Sequence, residues 1–147
     1  MQMAVALDLL AKTLLDAPIG YVEQTVSEIT KKPARLDVTD QNSIDGRKYV
    51  RKIIISVGQF PIVRATVRFD AKIIPKPLIS DLLQKKYGIG TILRNYHINA
   101  QRSSVVIDAD PDGKRITRNY VIVHNSSIWF EISEETRLDL LSACQNS

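Results

Sequence analysis

Tyr49-Val50-Arg51-Lys52-Ile53-Ile54-Ile55-Ser56-Val57 is β-branched and apolar at both alternating sets of positions, so it reads as a strand covered on both faces. Lys52 has a stem long enough to carry its ammonium out to water. Arg51 shares its face with Tyr49, Ile53 and Ile55, and a guanidinium keeps its charge inside a protein. Such a group needs a carboxylate, from the chain or from a ligand. Pattern alone leaves both sources open.

The rest of the chain supplies layers for that strand. Met3, Leu7, Leu10 and Leu14 recur at helical spacing and predict an amphipathic helix over 3–16. Asp16-Ala17-Pro18 stops it and offers an acidic cap for a second helix. That helix carries Ile19, Val22, Val26 and Ile29 and ends at Lys31-Lys32-Pro33. A short strand at 34–39 and a polar loop from Asp40 to Gly46 precede the strand at 48–57. Residues 61–69 alternate, with Val63, Ala65, Val67 and Phe69 on one face and Ile62, Arg64, Thr66 and Arg68 on the other. A solvated face accounts for Arg64 and Arg68, which sets them apart from Arg51.

Pro75 and Pro77 open a helix with Leu78, Ile79, Leu82 and Leu83 at helical spacing. After Gly88-Ile89-Gly90 and the apolar piece Thr91-Ile92-Leu93, a long strand is expected over 95–108. Asp110-Pro111-Asp112-Gly113 turns it into a strand at 115–123, and His124 to Ser127 turn again into Ile128-Trp129-Phe130-Glu131-Ile132. A last helix is expected over 133–141, with Ser133 as N-cap and Glu134 and Glu135 in its first turn. The order predicts one α+β domain over residues 1–147, with an antiparallel sheet and helices on one side.

Composition narrows the function. A 44% apolar and 24% charged chain is ordinary for a soluble protein, and no apolar run reaches membrane-spanning length. The N-terminal stretch has no basic segment before its apolar residues and is interrupted by Asp8 and Lys12, unlike a secretory signal. Cys144 is the sole cysteine, which favours a reducing, cytoplasmic compartment. The net charge of +4 is spread over scattered pairs such as Lys31-Lys32 and Lys85-Lys86, with few stacking aromatics, so nucleic acid is not the expected partner. That charge would draw small anions. His97 and His124 are far apart with no carboxylate cluster, so no metal site is expected.

Three places remain as candidate chemistry. Beside Arg51 stands Glu131, in the apolar run Trp129-Phe130-Glu131-Ile132. It is either a rim glutamate on an exposed face or a desolvated acid with a raised pKa. Gly88 and Gly90 around Ile89 either cap a helix or let backbone N–H groups approach an anion.

In order and spacing these places resemble the chorismate lyase family, over about residues 14–132. Tyr49-Val50-Arg51-Lys52-Ile53-Ile54 and Pro61-Ile62-Val63-Arg64-Ala65 resemble two successive strands of that family. Gly88-Ile89-Gly90-Thr91-Ile92-Leu93 is similar to its Pro-Leu-Gly-x-x-Leu segment. Arg118-Asn119-Tyr120-Val121-Ile122 and Ile128-Trp129-Phe130-Glu131 resemble its last hairpin.

The resemblance implies helical flaps over an internal ligand pocket and cofactor-free elimination of pyruvate from chorismate to give 4-hydroxybenzoate. It further implies that Arg51 and the backbone at Ile89 hold the ring carboxylate, while Glu131 protonates the leaving ether oxygen. Two departures stand out. Gly-Ile-Gly replaces Pro-Leu-Gly, and the flap amide falls on Pro18, which has no N–H, leaving Ile19 as the nearest donor. The alternative is a non-catalytic binder or sensor of a small aromatic carboxylate on the same fold. A monomer or weak homo-oligomer is expected in either case.

Overall fold

The computed structural model describes residues 2–147, with side chains from Leu9 onward. Five helices and six strands run in the order α1 (Gln2–Leu15), α2 (Val22–Thr30), β1 (Arg35–Ser43), β2 (Lys48–Val57), β3 (Phe60–Asp70), α3 (Lys76–Leu83), α4 (Ile89–Asn95), β4 (Gln101–Ala109), β5 (Arg115–His124), β6 (Ser127–Arg137) and α5 (Leu138–Gln145). The strands form one antiparallel sheet in the order β1-β2-β3-β6-β5-β4. The fold is therefore α+β, as the sequence predicts.

One face of the sheet carries the core. Arg51, Ile53, Ile55, Val63, Ala65, Val67, Phe69, Ile116, Arg118, Tyr120, Ile122, Ile132 and Glu134 alternate inward along their strands and are buried. Helix α2 packs on β2, and α5 packs on β3 and β5. The opposite face is open, with Lys52, Arg64, Arg68, Asn119, Glu131 and Ser133 exposed. Strand β2 is thus covered on one face, not two: Val50 and Ile54 are half-exposed. Long β-branched side chains there lie against their cross-strand neighbours without a second layer of helices. Ile62 also departs from its assigned face. The register slips between Ile55 and Ser56, and the extra residue turns inward to full burial.

Four boundaries differ from expectation. Strand β1 runs on through Asp40 to Ser43, because its polar residues pair with Lys52, Arg51, Val50 and Tyr49. Asp16 caps nothing; α2 starts after Tyr21, which makes no side-chain capping bond. The expected strand at 95–108 begins only at Gln101, because Gly88 sits at the N-cap of α4 and the apolar piece completes a helix. The most consequential change is at the C-terminal end. Residues 133–137 continue β6, and the helix starts at Leu138. Ser133 pairs with Thr66 and Asn119 instead of capping a helix, and Glu134 points into the core.

Among the described residues no helix is long and apolar enough to cross a membrane.

Candidate functional site

Arg51 lies opposite Val67 on β3, which lies opposite Ile132 on β6, which lies opposite Tyr120 on β5. This row crosses the floor of a cavity of about 100 Å³. The volume is of the order of an engineered pocket that admits one benzene ring, about 150 Å³. Its floor is aliphatic, made by Ile53, Ile55, Val63, Ala65, Val67, Ile122 and Ile132. Ile19 and Gly20 from the α1–α2 loop and Gly88, Ile89 and Gly90 at the start of α4 close it from above.

Arg51 has the largest of the fully buried side chains, at 0% exposure. Its Nη2 donates to the carbonyl of Tyr87 at 2.6 Å. Nε and Nη1 are buried without a hydrogen-bond partner, and no carboxylate among the described residues forms an ion pair with it. Burial pulls its pKa down to about 10, so the group stays a cation at neutral pH. A buried guanidinium with two free donors beside an apolar hollow is an anion-binding arrangement.

Of the two carboxylates in the cavity wall, Glu134 is already engaged. Arg118 donates from Nε to its Oε1 at 2.7 Å and pairs through Nη2 at 2.6 Å; Tyr120 Oη donates to Oε2 at 2.8 Å. Arg118 also donates to the Leu15 carbonyl at 3.0 Å, tying the end of α1 to the sheet. Burial, and then the neighbouring Glu134, push the Tyr120 phenol well above its usual range, so it stays a donor. Glu23 stands at the cavity wall on α2, and burial raises its pKa against the lowering effect of a backbone bond from Leu36.

The loop over the cavity is held by close backbone contact. A Cβ on Gly20, whose φ is +92°, would meet the Gly90 carbonyl oxygen at 2.7 Å, and one on Gly90 would collide with the Gly20 backbone. Two glycines are therefore what let the loop lie on α4. Arg94 Nη1 donates to the Gly20 carbonyl at 3.2 Å and its guanidinium sits over the Tyr21 ring.

The residues singled out in the sequence divide between two faces. Arg51, Ile19 and Ile89 line the cavity together. Pro18 is exposed and borders an outer crevice with Leu93, Arg94 and His97 instead. Glu131 is exposed on the open face of the sheet, opposite Arg68 and Val121, and does not reach the Arg51 cavity. Its strand neighbours explain the misplacement: Trp129 and Phe130 are both buried at the irregularity between Ile122 and Val123, and regular alternation resumes at Glu131 on the outside. Sequence reasoning missed Glu134, Arg118 and Arg102. The signal for the first two was present, since a β5–β6 hairpin extended to Arg137 places Arg118 opposite Glu134. Among the described residues no group of side chains could hold a metal ion.

No protein-family model and no curated protein matches the chain. Solved structures resemble it in overall shape. A transcriptional regulator of the GntR family from Bacillus cereus aligns with 71% of this chain and 91% of its own, at 10% identity and a TM-score of 0.49. The PhnF C-terminal domain aligns over 72% of this chain and 79% of its own, at 12% identity and a TM-score of 0.47.

Proposed function

We propose that this chain is a non-catalytic binder, or sensor, of a small aromatic or near-aromatic carboxylate. The observation that carries the reading is Arg51: a fully buried cation with free Nε and Nη1 donors, facing an apolar cavity of single-ring size. A carboxylate placed there would accept a forked pair of charge-assisted hydrogen bonds, and the aliphatic floor would take the ring. No carboxylate among the described residues neutralises Arg51, so the ligand would offset a desolvation cost that those residues leave uncompensated.

Binding is favoured over chorismate elimination because the glutamate that the lyase resemblance assigns as the acid, Glu131, lies outside the cavity. An acid is needed at the pole opposite Arg51 to protonate the departing ether oxygen. Glu131 is on the other side of the sheet, and both oxygens of Glu134 are occupied by Arg118 and Tyr120. Isothermal titration with 4-hydroxybenzoate, beside a pyruvate assay on chorismate without added cofactor, separates the two. Saturable binding that Arg51→Met abolishes, with no pyruvate above the spontaneous background, is expected. Pyruvate release that Arg51→Met abolishes would replace the sensor with the lyase. No 4-hydroxybenzoate binding and no turnover would end both.

A further inference from the structure

Arg102 is a second cation that the proposed binding mode leaves unexplained. Strand β4 is an edge strand, and of its nine residues Arg102 alone is not exposed. The register slips between Ser103 and Val106, with Ser104 at a φ of +54°, so the strand is bent just beyond the point where this side chain turns in. Its guanidinium crosses the Tyr120 ring at 5.3 Å from the centroid and lines the same cavity as Arg51. Nη1 donates to the Ala17 carbonyl at 2.7 Å, while Nε is buried without a partner. No Asp or Glu among the described residues lies within ion-pair distance of it.

The charges of the cavity do not balance internally. Glu134 is matched by Arg118, which leaves Arg51 and Arg102 against the half-buried Glu23. The two unmatched guanidiniums enter from opposite ends of the floor. Arg51 is on β2 and Arg102 on β4, four strand steps apart in the sheet, or roughly 19 Å between backbones at about 4.8 Å per step. Their side chains reach inward across that span toward one hollow. Between them the floor is aliphatic apart from Tyr120 and Glu134, whose polar atoms are tied to each other and to Arg118, so a ligand that uses both arginines must carry its anions at its two ends.

We infer that the ligand is a dicarboxylate with its carboxylates at opposite poles of a small apolar body, one held by Arg51 and the other by Arg102. This rests on the binding reading above and adds its second pole. One end alone would satisfy Arg51 and leave the Arg102 Nε donor buried and unanswered. Both ends together satisfy the free donors of both arginines.

Three probes of one shape separate the two claims: benzoate, terephthalate and monomethyl terephthalate, which keeps the length of the dianion but carries one charge. Titrated into the whole chain at fixed salt, terephthalate is expected to bind at least tenfold more tightly than its monomethyl ester. In Arg102→Met that advantage should fall below about threefold while benzoate affinity is retained. Arg51→Met should weaken all three. Equal affinities for terephthalate and its ester, or an advantage that survives in Arg102→Met, would overturn the second pole and leave the Arg51 reading standing. If Arg102 serves only to hold Ala17, its loss lowers all three affinities together with the ratio intact, which also overturns the inference. Failure of all three probes to bind the parent protein would remove this inference and the reading beneath it together.

Discussion

Replacing Arg51 with methionine should make the ligand-free protein more stable while destroying its binding site. The fall of its pKa from the ordinary value to about 10, taken at 1.36 kcal/mol per pH unit, corresponds to about 3 kcal/mol against the charged form in the folded chain. Below pH of about 10 the guanidinium is protonated in folded and unfolded chains alike, so near pH 7 this cost is constant. It is relieved only as pH rises through about 10 toward the unfolded value. Methionine fills much of the same volume without the charge. Against the gain stands the lost bond to the Tyr87 carbonyl, worth about 2 kcal/mol for a charged donor.

The balance is a stabilisation of about 1 kcal/mol, or a rise in Tm of about 3 °C for a chain of this length. Calorimetry with and without 4-hydroxybenzoate reads both halves. Ligand at a hundredfold its Kd adds about 2.7 kcal/mol to the parent and nothing to the variant. An apo Arg51→Met protein destabilised by about 2 kcal/mol or more would show that the cation is a strut for the chain itself, and the reasoning from its free donors would fail.

The other residues give sharper contrasts. Glu134→Ala strands the Arg118 cation and the Tyr120 hydroxyl in the core and should cost about 3–5 kcal/mol in urea unfolding; a loss under about 1 kcal/mol would mean that the pair is solvated. Glu131→Gln, on the open face, should change stability by no more than about 0.5 kcal/mol and leave 4-hydroxybenzoate affinity untouched, so a marked loss of binding would return Glu131 to the site. Gly90→Ala drives a methyl group into the Gly20 backbone and should cost about 1–3 kcal/mol while weakening ligand binding through the displaced loop; parental behaviour in both assays would show that the loop does not form the cavity roof.

What could be read from the chain followed the strength of local periodicity. Strands β2 and β3 and the β4–β5 turn were legible because alternation, Gly58 and Asp110 to Gly113 leave few alternatives. Arg51 was legible for the same reason, since period two places it among Ile53 and Ile55. The end of β6 was not. Ser133-Glu134-Glu135 has the composition of a helix start, and only pairing with β3 and β5 keeps it extended. That tertiary override hid Glu134 as a core carboxylate and left Glu131 as the apparent acid. Arg102 was hidden more deeply. The rest of its strand is exposed, so nothing in the run Gln101 to Ala109 marks one arginine as turned inward.

The side-chain Nε–H resonance of Arg51 reports on the central claim at the atom concerned. In a titration of 15N-labelled protein with 4-hydroxybenzoate, that resonance, assigned by its loss in Arg51→Met, should move downfield and saturate together with the calorimetric binding curve. An Nε–H signal that stays fixed while ligand binds, or that already exchanges freely with water in the ligand-free protein, would contradict the account.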